Sequence, residues 1–216
     1  MVIALEGIDG AGKSVQLERL GRRLEHLGGA AGPRVVAVDR GRPIRELYLR
    51  LIASEETFPD AWTSLLLGAA TVTDLHRASV ASDGSDAIYL FHRHLSSPLS
   101  DALAFGLPPA IVETFWRALP RPDLTIVIDT DPAESLRRKS AISLAEAGGP
   151  EWLDGRRPDA AYLAYQSAAR EGYLRVGELA AEHGDGWATV AGDGGPDAVE
   201  ERIWPAVASA VGADTP

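Results

Sequence analysis

A glycine-rich segment near the start of the chain carries the residue types with the clearest chemistry. Residues 7–14 read GIDGAGKS and fit the pattern GxxxxGK[ST]. In such a loop, backbone N–H groups surround an oxyanion, the lysine reaches the β- and γ-phosphates of a nucleotide, and the hydroxyl takes a position on Mg²⁺. The spacing therefore predicts a site for ATP and Mg²⁺ in which Lys13 is catalytic and Ser14 is the metal ligand. The other predicted contacts to ATP come from the same segment, namely Gly7, Asp9, Gly10, Ala11, Gly12 and Val15.

The elements on either side of this loop favour a nucleotide site over a glycine-rich turn that binds no ligand. An apolar run at 2–5 predicts a strand before the loop, and apolar residues at helical spacing from Val15 to Leu27 predict a helix after it. Further short apolar runs, without alternation, predict strands buried on both faces at 35–38, 87–91, 124–128 and 187–190. Helical periodicity occupies 42–54, 60–81, 97–106, 109–118, 132–146, 159–183 and 196–211. Strands that alternate with helices predict an α/β fold of three layers, with a five-stranded parallel sheet covered by helices on both faces.

The composition limits the classes of function. The 216 residues are 45% hydrophobic, which predicts one domain over 1–216. No segment approaches the ~18 apolar residues of a membrane span, and the N-terminus carries no export signal, so we expect a cytoplasmic protein without membrane contact. The chain has no cysteine, which excludes thiol nucleophiles, disulfides and cysteine-ligated metal centres. A formal charge of −10 disfavours general nucleic-acid binding, so an anionic ligand would have to be met by a local group of arginines.

Several segments, in their order and spacing, extend the pattern well beyond the loop. They are LEGIDGAGKSVQ at 5–16, DRGRPI at 39–44, LLL at 65–67, HRH at 92–94 with Ser97 after it, the stretch 122–132 and REGY at 170–173. Together, from about residue 2 to about residue 205, they resemble the thymidylate kinase family of P-loop nucleoside monophosphate kinases. The resemblance implies a P-loop kinase fold, phosphoryl transfer from ATP to a small phosphorylated acceptor, and a homodimer.

The resemblance also implies roles for charged residues around the acceptor. Arg40 and Arg93 each follow a predicted buried strand and would clamp the acceptor phosphate, since a guanidinium fork matches phosphate in a bidentate manner. Salt bridges within the protein are the alternative for both arginines. Asp9 would lie near the acceptor sugar and the metal, or would cap the following helix instead.

A lid is expected at about 138–158, where the stretch EAGGPEWLDGRRP at 146–158 is predicted to form a mobile loop. In the family, the arginine that neutralises the moving phosphoryl group comes from the P-loop or from the lid. Gly10 and Ala11 supply none, so the lid would have to provide it. The candidates, each of which could also belong to a solvated basic face, are Arg138, Arg156 and Arg157, and Arg138 is also expected to contact ATP.

The chain departs from the family pattern on the acceptor side. His92 replaces the expected aspartate, the segment 70–73 replaces the arginine that would bind thymine, and Asp101-Ala102 replaces a Tyr-Gln pair. A site that reads a base through hydrogen bonds changes its substrate when those groups are lost, so we expect an acceptor other than thymidylate. A regulator that binds nucleotide without turnover is the alternative, favoured by His92 and disfavoured by the complete loop. The full set of predicted acceptor contacts is Asp9, Arg40, Val72, His92, Arg93, Ser97, Asp101 and Phe105.

Overall fold

The sheet of this protein is five-stranded and entirely parallel, as the sequence predicts. A computed structural model describes residues 1–27, 33–38, 43–82 and 87–213. Its strands lie in the order β2-β3-β1-β4-β5. They are β1 (Val2–Glu6), β2 (Arg34–Ala37), β3 (Ala87–His92), β4 (Leu124–Asp129) and β5 (Trp187–Ala191).

Helices cover both faces of the sheet and complete the three layers. The described residues form α1 (Lys13–Glu25), α2 (Pro43–Leu51), α3 (Ala61–Ser82), α4 (Ser96–Ala104), α5 (Pro109–Ala118), α6 (Pro132–Arg137), α7 (Gly149–Leu153), α8 (Pro158–Glu182) and α9 (Pro196–Val211). No helix in the described ranges is long and apolar enough to span a bilayer.

Strand β1 is central and buried along its whole length, which explains its unalternating apolar sequence. Alternate residues serve opposite faces of the sheet. Ile3 belongs to the core cluster that contains Leu20 of α1 and Val207 of α9. Ala4 belongs to a second cluster with Leu75 of α3. The helix that follows the glycine-rich loop is therefore fixed against one face of the strand that precedes it.

Two predictions between 132 and 158 are wrong. The helix expected at 132–146 ends at Arg137, because the Glu146 carboxylate takes hydrogen bonds from Lys139 and from the backbone N–H of Ser143, and such local bonds compete with a helix. The stretch 146–158, expected as a loop, contains α7. Gly149 has φ +77°, and a Cβ there would lie 2.3 Å from the Phe58 ring, so this glycine lets the segment pack tightly.

The parallel order places several chain segments at one edge of the sheet. The carboxyl ends of β1, β3 and β4 are adjacent, since β1 pairs with both of the others. In open α/β sheets, ligands gather at that edge. The loop after β1, the residues after β3 and the start of α6 after β4 therefore meet there.

Candidate active site

The loop between β1 and α1 is built around glycines at positions where the chain lies close to other backbone. Gly7 has φ +130°, and a Cβ there would lie 2.6 Å from the Ile128 carbonyl oxygen of β4. Gly10 has φ +80°, and a Cβ there would lie 2.5 Å from the Ser135 hydroxyl of α6. A side chain at either position would be strained and would also clash. The spacing that predicts a phosphate loop is thus required by the local fold as well.

The Lys13 side chain folds back over this loop. Lys13 is only 4% exposed. Its Nζ donates hydrogen bonds to the carbonyl oxygens of Gly7 at 2.9 Å and Ile8 at 2.6 Å. Burial lowers the pKa of Lys13 to about 7, and the nearby Arg93 acts in the same direction. The ammonium group therefore lies in the loop, buried and held by main-chain oxygens.

Asp9 in the same loop is fixed by side chains from distant parts of the chain. Its backbone N–H donates to Gln166 Oε1 at 3.0 Å, and its carbonyl oxygen accepts from the Tyr162 hydroxyl at 2.7 Å and from Ser135. Its carboxylate accepts from Arg93 Nη2 at 2.5 Å. Two helices, α6 and α8, thus determine where this carboxylate points.

Arg93 follows β3 in a strained backbone conformation. With φ +70° it is the only non-glycine residue with positive φ in the described part of the chain. Its Nη1 donates to the Ser97 hydroxyl at 3.0 Å and to the Tyr173 hydroxyl at 2.7 Å, while Nη2 reaches Asp9. Burial is the largest single influence and would raise the pKa of the Asp9 carboxyl, but Arg93, Lys13 and Lys139 together outweigh it and hold that pKa at about 2. The guanidinium and the carboxylate therefore both stay ionised.

Buried Glu6 at the end of β1 supports the turn that carries Arg93. Its Oε1 accepts from the His94 backbone N–H at 2.7 Å, and its Oε2 accepts from the Ser97 hydroxyl at 2.6 Å. Burial raises the pKa of Glu6. These two bonds fix the segment after β3 against the strand that leads into the loop.

His92 lies at the nucleotide loop as well as at the acceptor side. Its Nε2 is 3.0 Å from the Ser14 hydroxyl, which is on the first turn of α1. His92 also lines the cavity that begins beside Asp9 and Arg93. The imidazole thus occupies the junction between the predicted ATP site and the predicted acceptor site.

A cavity of about 380 Å³ opens from Asp9 and Arg93 toward α2, α3 and α4. Its walls are mostly apolar or aromatic, and Val72 is buried within them. Asp101 also lines it, and its Oδ1 accepts a hydrogen bond from the Tyr165 hydroxyl at 2.8 Å. Burial raises the pKa of Asp101 to about 6. Seven of the predicted acceptor residues therefore line one cavity: Asp9, Val72, His92, Arg93, Ser97, Asp101 and Phe105.

Comparison with known proteins matches this arrangement to one family. The family model for thymidylate kinase matches residues 5–151. The thymidylate kinase of Nitratidesulfovibrio vulgaris is 32% identical over 98% of this chain and 94% of its own, and a probable thymidylate kinase of Methanosphaera stadtmanae is 32% identical over 73% of this chain and 80% of its own. This chain belongs to the thymidylate kinase family.

Solved structures of the family share its fold. The thymidylate kinase of Candida albicans superposes with a TM-score of 0.68 at 20% identity, over 96% of this chain and 91% of that one. The enzyme of Ehrlichia chaffeensis superposes with a TM-score of 0.63 at 17% identity, over 96% and 98%. As a member of the thymidylate kinase family, the protein is an ATP-dependent phosphotransferase of the nucleoside monophosphate kinase type. The enzymatic prediction is confirmed over the non-catalytic alternative.

The three arginines predicted to serve this phosphotransferase from its lid donate hydrogen bonds to residues outside the loop 7–14. Arg138 donates to Glu134 on α6 and to the carbonyl oxygen of Gly192, which directly follows β5. Arg156 donates to the Trp152 carbonyl oxygen, and Arg157 pairs with Asp159. Arg156 and Arg157 are both exposed. Arg40, the second arginine expected on the acceptor phosphate, lies outside the described residues.

Sequence reasoning gave no site role to three side chains on α8 that hold the site of this thymidylate kinase relative, although one of them, Tyr173, belongs to the REGY segment. Tyr162, Gln166 and Tyr173 contact Asp9 or Arg93, and all three are buried. Gln166 also donates to the Glu146 carbonyl oxygen at 2.8 Å, which ties the loop to the segment after α6. Polar residues that recur on the buried face of a long helix were the available signal.

Proposed function

We propose that this protein transfers the γ-phosphoryl group of ATP to a nucleoside monophosphate, or a similar phosphorylated small molecule, other than thymidylate. One observation carries the proposal. The cavity beside Arg93 has buried Thr71 and Val72 in its wall, and they belong to the segment 70–73 that replaces the thymine-binding arginine of the family pattern. The phosphoryl-donor loop is complete, whereas the wall that would read the acceptor is changed.

On the donor side, Lys13 and the backbone N–H groups of residues 7–14 would hold the ATP phosphates. The Lys13 ammonium would exchange its two carbonyl partners for phosphate oxygens, and the negative charge of ATP would raise its pKa above the present value near 7. The loop would thus deliver positive charge to the β- and γ-phosphates without further rearrangement of the sheet.

The Ser14 hydroxyl fits the position of Mg²⁺ in this site. It lies on the first turn of α1 beside His92, and Mg²⁺ prefers oxygen ligands, most of which come from water and from substrate phosphates in such sites. When bound, the ion would neutralise charge on the transferred group. The described residues contain no cluster of three or more His, Cys, Asp or Glu that could hold a metal by itself.

Arg93 is our candidate for the acceptor phosphate, with Arg40 as its proposed partner. The guanidinium is fixed by Asp9, Ser97 and Tyr173 at the mouth of the cavity, so its orientation is set before the acceptor arrives. One arginine of the proposed lid would neutralise the remaining charge on the transferred phosphoryl group. The candidates are Arg138, Arg156 and Arg157, and the present hydrogen bonds of that arginine would have to break first.

Hydrogen-bond accounting supports an acceptor other than thymidylate. Thymine presents two carbonyls that flank one N–H group. Val72 donates no hydrogen bond, and an ionised Asp101 can only accept. Each carbonyl left unpaired on desolvation costs about 1–3 kcal/mol, so two would lower kcat/KM by about 10²- to 10⁴-fold.

The test is a coupled assay of ADP release with and without Mg²⁺. The acceptors would be thymidylate, cytidylates, hydroxymethylated pyrimidine nucleotides and small phosphonates. We expect thymidylate to fall at least 100-fold below the best acceptor in kcat/KM. A value for thymidylate near ~10⁵ M⁻¹ s⁻¹, typical of good enzymes, would overturn the proposal.

We also propose a homodimer in which a second copy covers the outer face of α3. Trp62, Leu66 and Val80 lie on one side of this helix and are 47%, 54% and 49% exposed. Large apolar side chains in such a stripe favour contact with a partner over solvent.

A further inference from the structure

The acceptor cavity contains a half-buried carboxylate with only one of its two oxygens hydrogen-bonded. Asp101 lies on α4, and its Oδ1 accepts the hydrogen bond of the Tyr165 hydroxyl on α8. Within the described ranges, Oδ2 has no hydrogen-bond partner and Asp101 forms no ion pair. The second oxygen is therefore available to a ligand in the cavity that Asp101 lines.

The surroundings of Asp101 make an unpaired oxygen costly. Phe105 and Tyr165 pack with ring centroids 5.6 Å apart, and Phe58 and Val72 line the same cavity. A carboxylate in such a wall loses hydration without gaining a full set of partners. Arg93 offsets this electrostatically, so the charge is retained near neutral pH, but it does not supply a hydrogen bond.

Tyr165 fixes the direction in which the free oxygen points. The Tyr165 side chain is 7% exposed and packs edge-on against Trp152, with ring centroids 5.6 Å apart. Its hydroxyl has one proton, and that proton is used on Oδ1. The carboxylate is therefore held in one orientation before any acceptor binds, which favours a ligand with a donor at one defined place.

We propose that Asp101 selects the acceptor by accepting a hydrogen bond from an O–H or N–H group that the acceptor presents toward α4. The inference rests on the proposed function and names the chemistry it requires: a phosphorylated molecule whose remainder carries a hydroxyl or an amino group. The donor could be the exocyclic amine of a cytosine base, a sugar hydroxyl, or the amine of a small aminoalkyl phosphate. A carbonyl at that place would face the carboxylate oxygen and be repelled.

Matched pairs of acceptors distinguish these sources. Cytidine and uridine monophosphates differ in an amino group against a carbonyl at ring position 4. Cytidine and deoxycytidine monophosphates differ in one sugar hydroxyl. Aminoethyl phosphate and ethyl phosphate differ in the amine. For each pair, kcat and KM would be measured with saturating ATP for the wild type, Asp101→Ala, Asp101→Asn and Tyr165→Phe.

The wild type should prefer the donor-bearing member of at least one pair by tenfold or more. Asp101→Ala should reduce that ratio to within threefold of unity, mainly by raising the KM of the donor-bearing member. Asp101→Asn keeps an acceptor oxygen without charge and should lie between the two. Tyr165→Phe, which frees the carboxylate to rotate, should lower the ratio while the KM for ATP stays within twofold.

Asp197→Ala is the matched control, since it removes a carboxylate that is 90% exposed on α9. It should leave every ratio unchanged. Turnover of an acceptor other than thymidylate with the same ratios in Asp101→Ala as in the wild type would overturn the inference and leave the proposed function standing. Efficient turnover of thymidylate, or of no acceptor at all, would overturn both.

Discussion

Each charged side chain at the site is held by a specific polar or oppositely charged partner. Lys13 is held by main-chain carbonyl oxygens, and Asp9 is held by Arg93 with its pKa near 2. His92 touches Ser14 in place of an acid. At this scale the protein has a cationic donor loop and a fixed arginine at the acceptor cavity, which is the charge pattern that phosphoryl transfer requires.

Replacement of Lys13 by alanine should remove most of the activity. The buried ammonium would otherwise lie on the phosphates as charge develops there, so we expect kcat/KM to fall at least ~100-fold, which corresponds to about 2.7 kcal/mol. Steady-state ADP release with the best acceptor measures this loss. A variant within threefold of the wild type would show that the loop is not the phosphate site.

Arg93→Lys should separate the two substrates. Lysine keeps the charge but lacks the fork, so the KM of the acceptor should rise more than tenfold while the KM of ATP changes less than threefold. Arg19→Lys, at an ion pair with Glu200 away from the site, is the control and should change neither value. Equal losses for both substrates would indicate a structural role for Arg93.

The preference for a donor-bearing acceptor should depend on pH through Asp101. Its pKa is raised to about 6 by burial, so the carboxylate form is present above that value and is lost as the pH falls through it. The charged and titratable groups that act on it are Arg93, Tyr165, Asp9 and Lys13. Because Lys13 affects both members of a matched pair, their kcat/KM ratio isolates Asp101.

Between pH 7.5 and 5.5 the kcat/KM ratio of the matched acceptors should fall about fourfold in the wild type. The ionised fraction of a carboxyl group with a pKa of about 6 falls by the same factor over this range. Asp101→Asn should give a flat profile over the same range. A pH-independent ratio in the wild type would contradict the assignment.

Among the elements, α8 organises the site. One face of this helix carries Tyr162, Tyr165, Gln166 and Tyr173, all buried. They contact the donor loop, the acceptor carboxylate and Arg93, so a single rigid helix sets the relative positions of both substrates. Its residue Gln166 extends this control to the segment before α7 through the Glu146 carbonyl oxygen.

The segment around α7 should matter for the acceptor, and two glycines, one at its start and one just after its end, provide a matched test. Gly149 and Gly155 both have positive φ, at +77° and +66°, so alanine is strained at either position. At Gly149 the new Cβ would collide with the Phe58 ring, which lines the acceptor cavity. At Gly155 no atom lies within 4 Å of the position of a new Cβ.

We expect Gly149→Ala to raise the KM of the acceptor at least fivefold and Gly155→Ala to change it less than twofold. Thermal unfolding of both variants would separate this effect from the shared cost of backbone strain. Equal kinetics for the two variants would mean that the packing of Phe58 under α7 does not shape the cavity.

For the whole molecule, a net charge of −10 surrounds a site built from cations. Lys13 and Arg93 lie where the sheet edge meets the loop, so the protein would meet an anionic ligand locally against its overall field. The outer face of α3 is the contrasting surface, since it is apolar and exposed.

Leu66→Glu should convert the proposed dimer to a monomer. A charge in the middle of the apolar stripe would be desolvated on association, at a cost that a modest interface does not offset. Light scattering coupled to gel filtration would show the wild type at twice the chain mass of 22.9 kDa and the variant at that mass. Glu46→Lys, on exposed α2, is the control for a changed surface charge. A monomeric wild type would contradict the proposal.

The sequence alone determined the features that depend on local signals. The strands were predicted because residues buried on both faces leave unalternating apolar runs, and the phosphate loop because its glycines are needed at fixed positions for backbone reasons. Arg93, Val72 and Asp101 were placed in one acceptor site by family pattern, and they do line one cavity.

Only the tertiary structure decided how those residues are held. Asp9 is bonded to Gln166, 157 residues away, and His92 faces Ser14, 78 residues away. Neither contact can be recognised from a periodic pattern in the sequence, because partners across a parallel sheet are set by the packing of helices on its faces. The helix that ends at Arg137 has a local cause instead, because bonds to the Glu146 side chain replace a helical pattern that is present in the sequence.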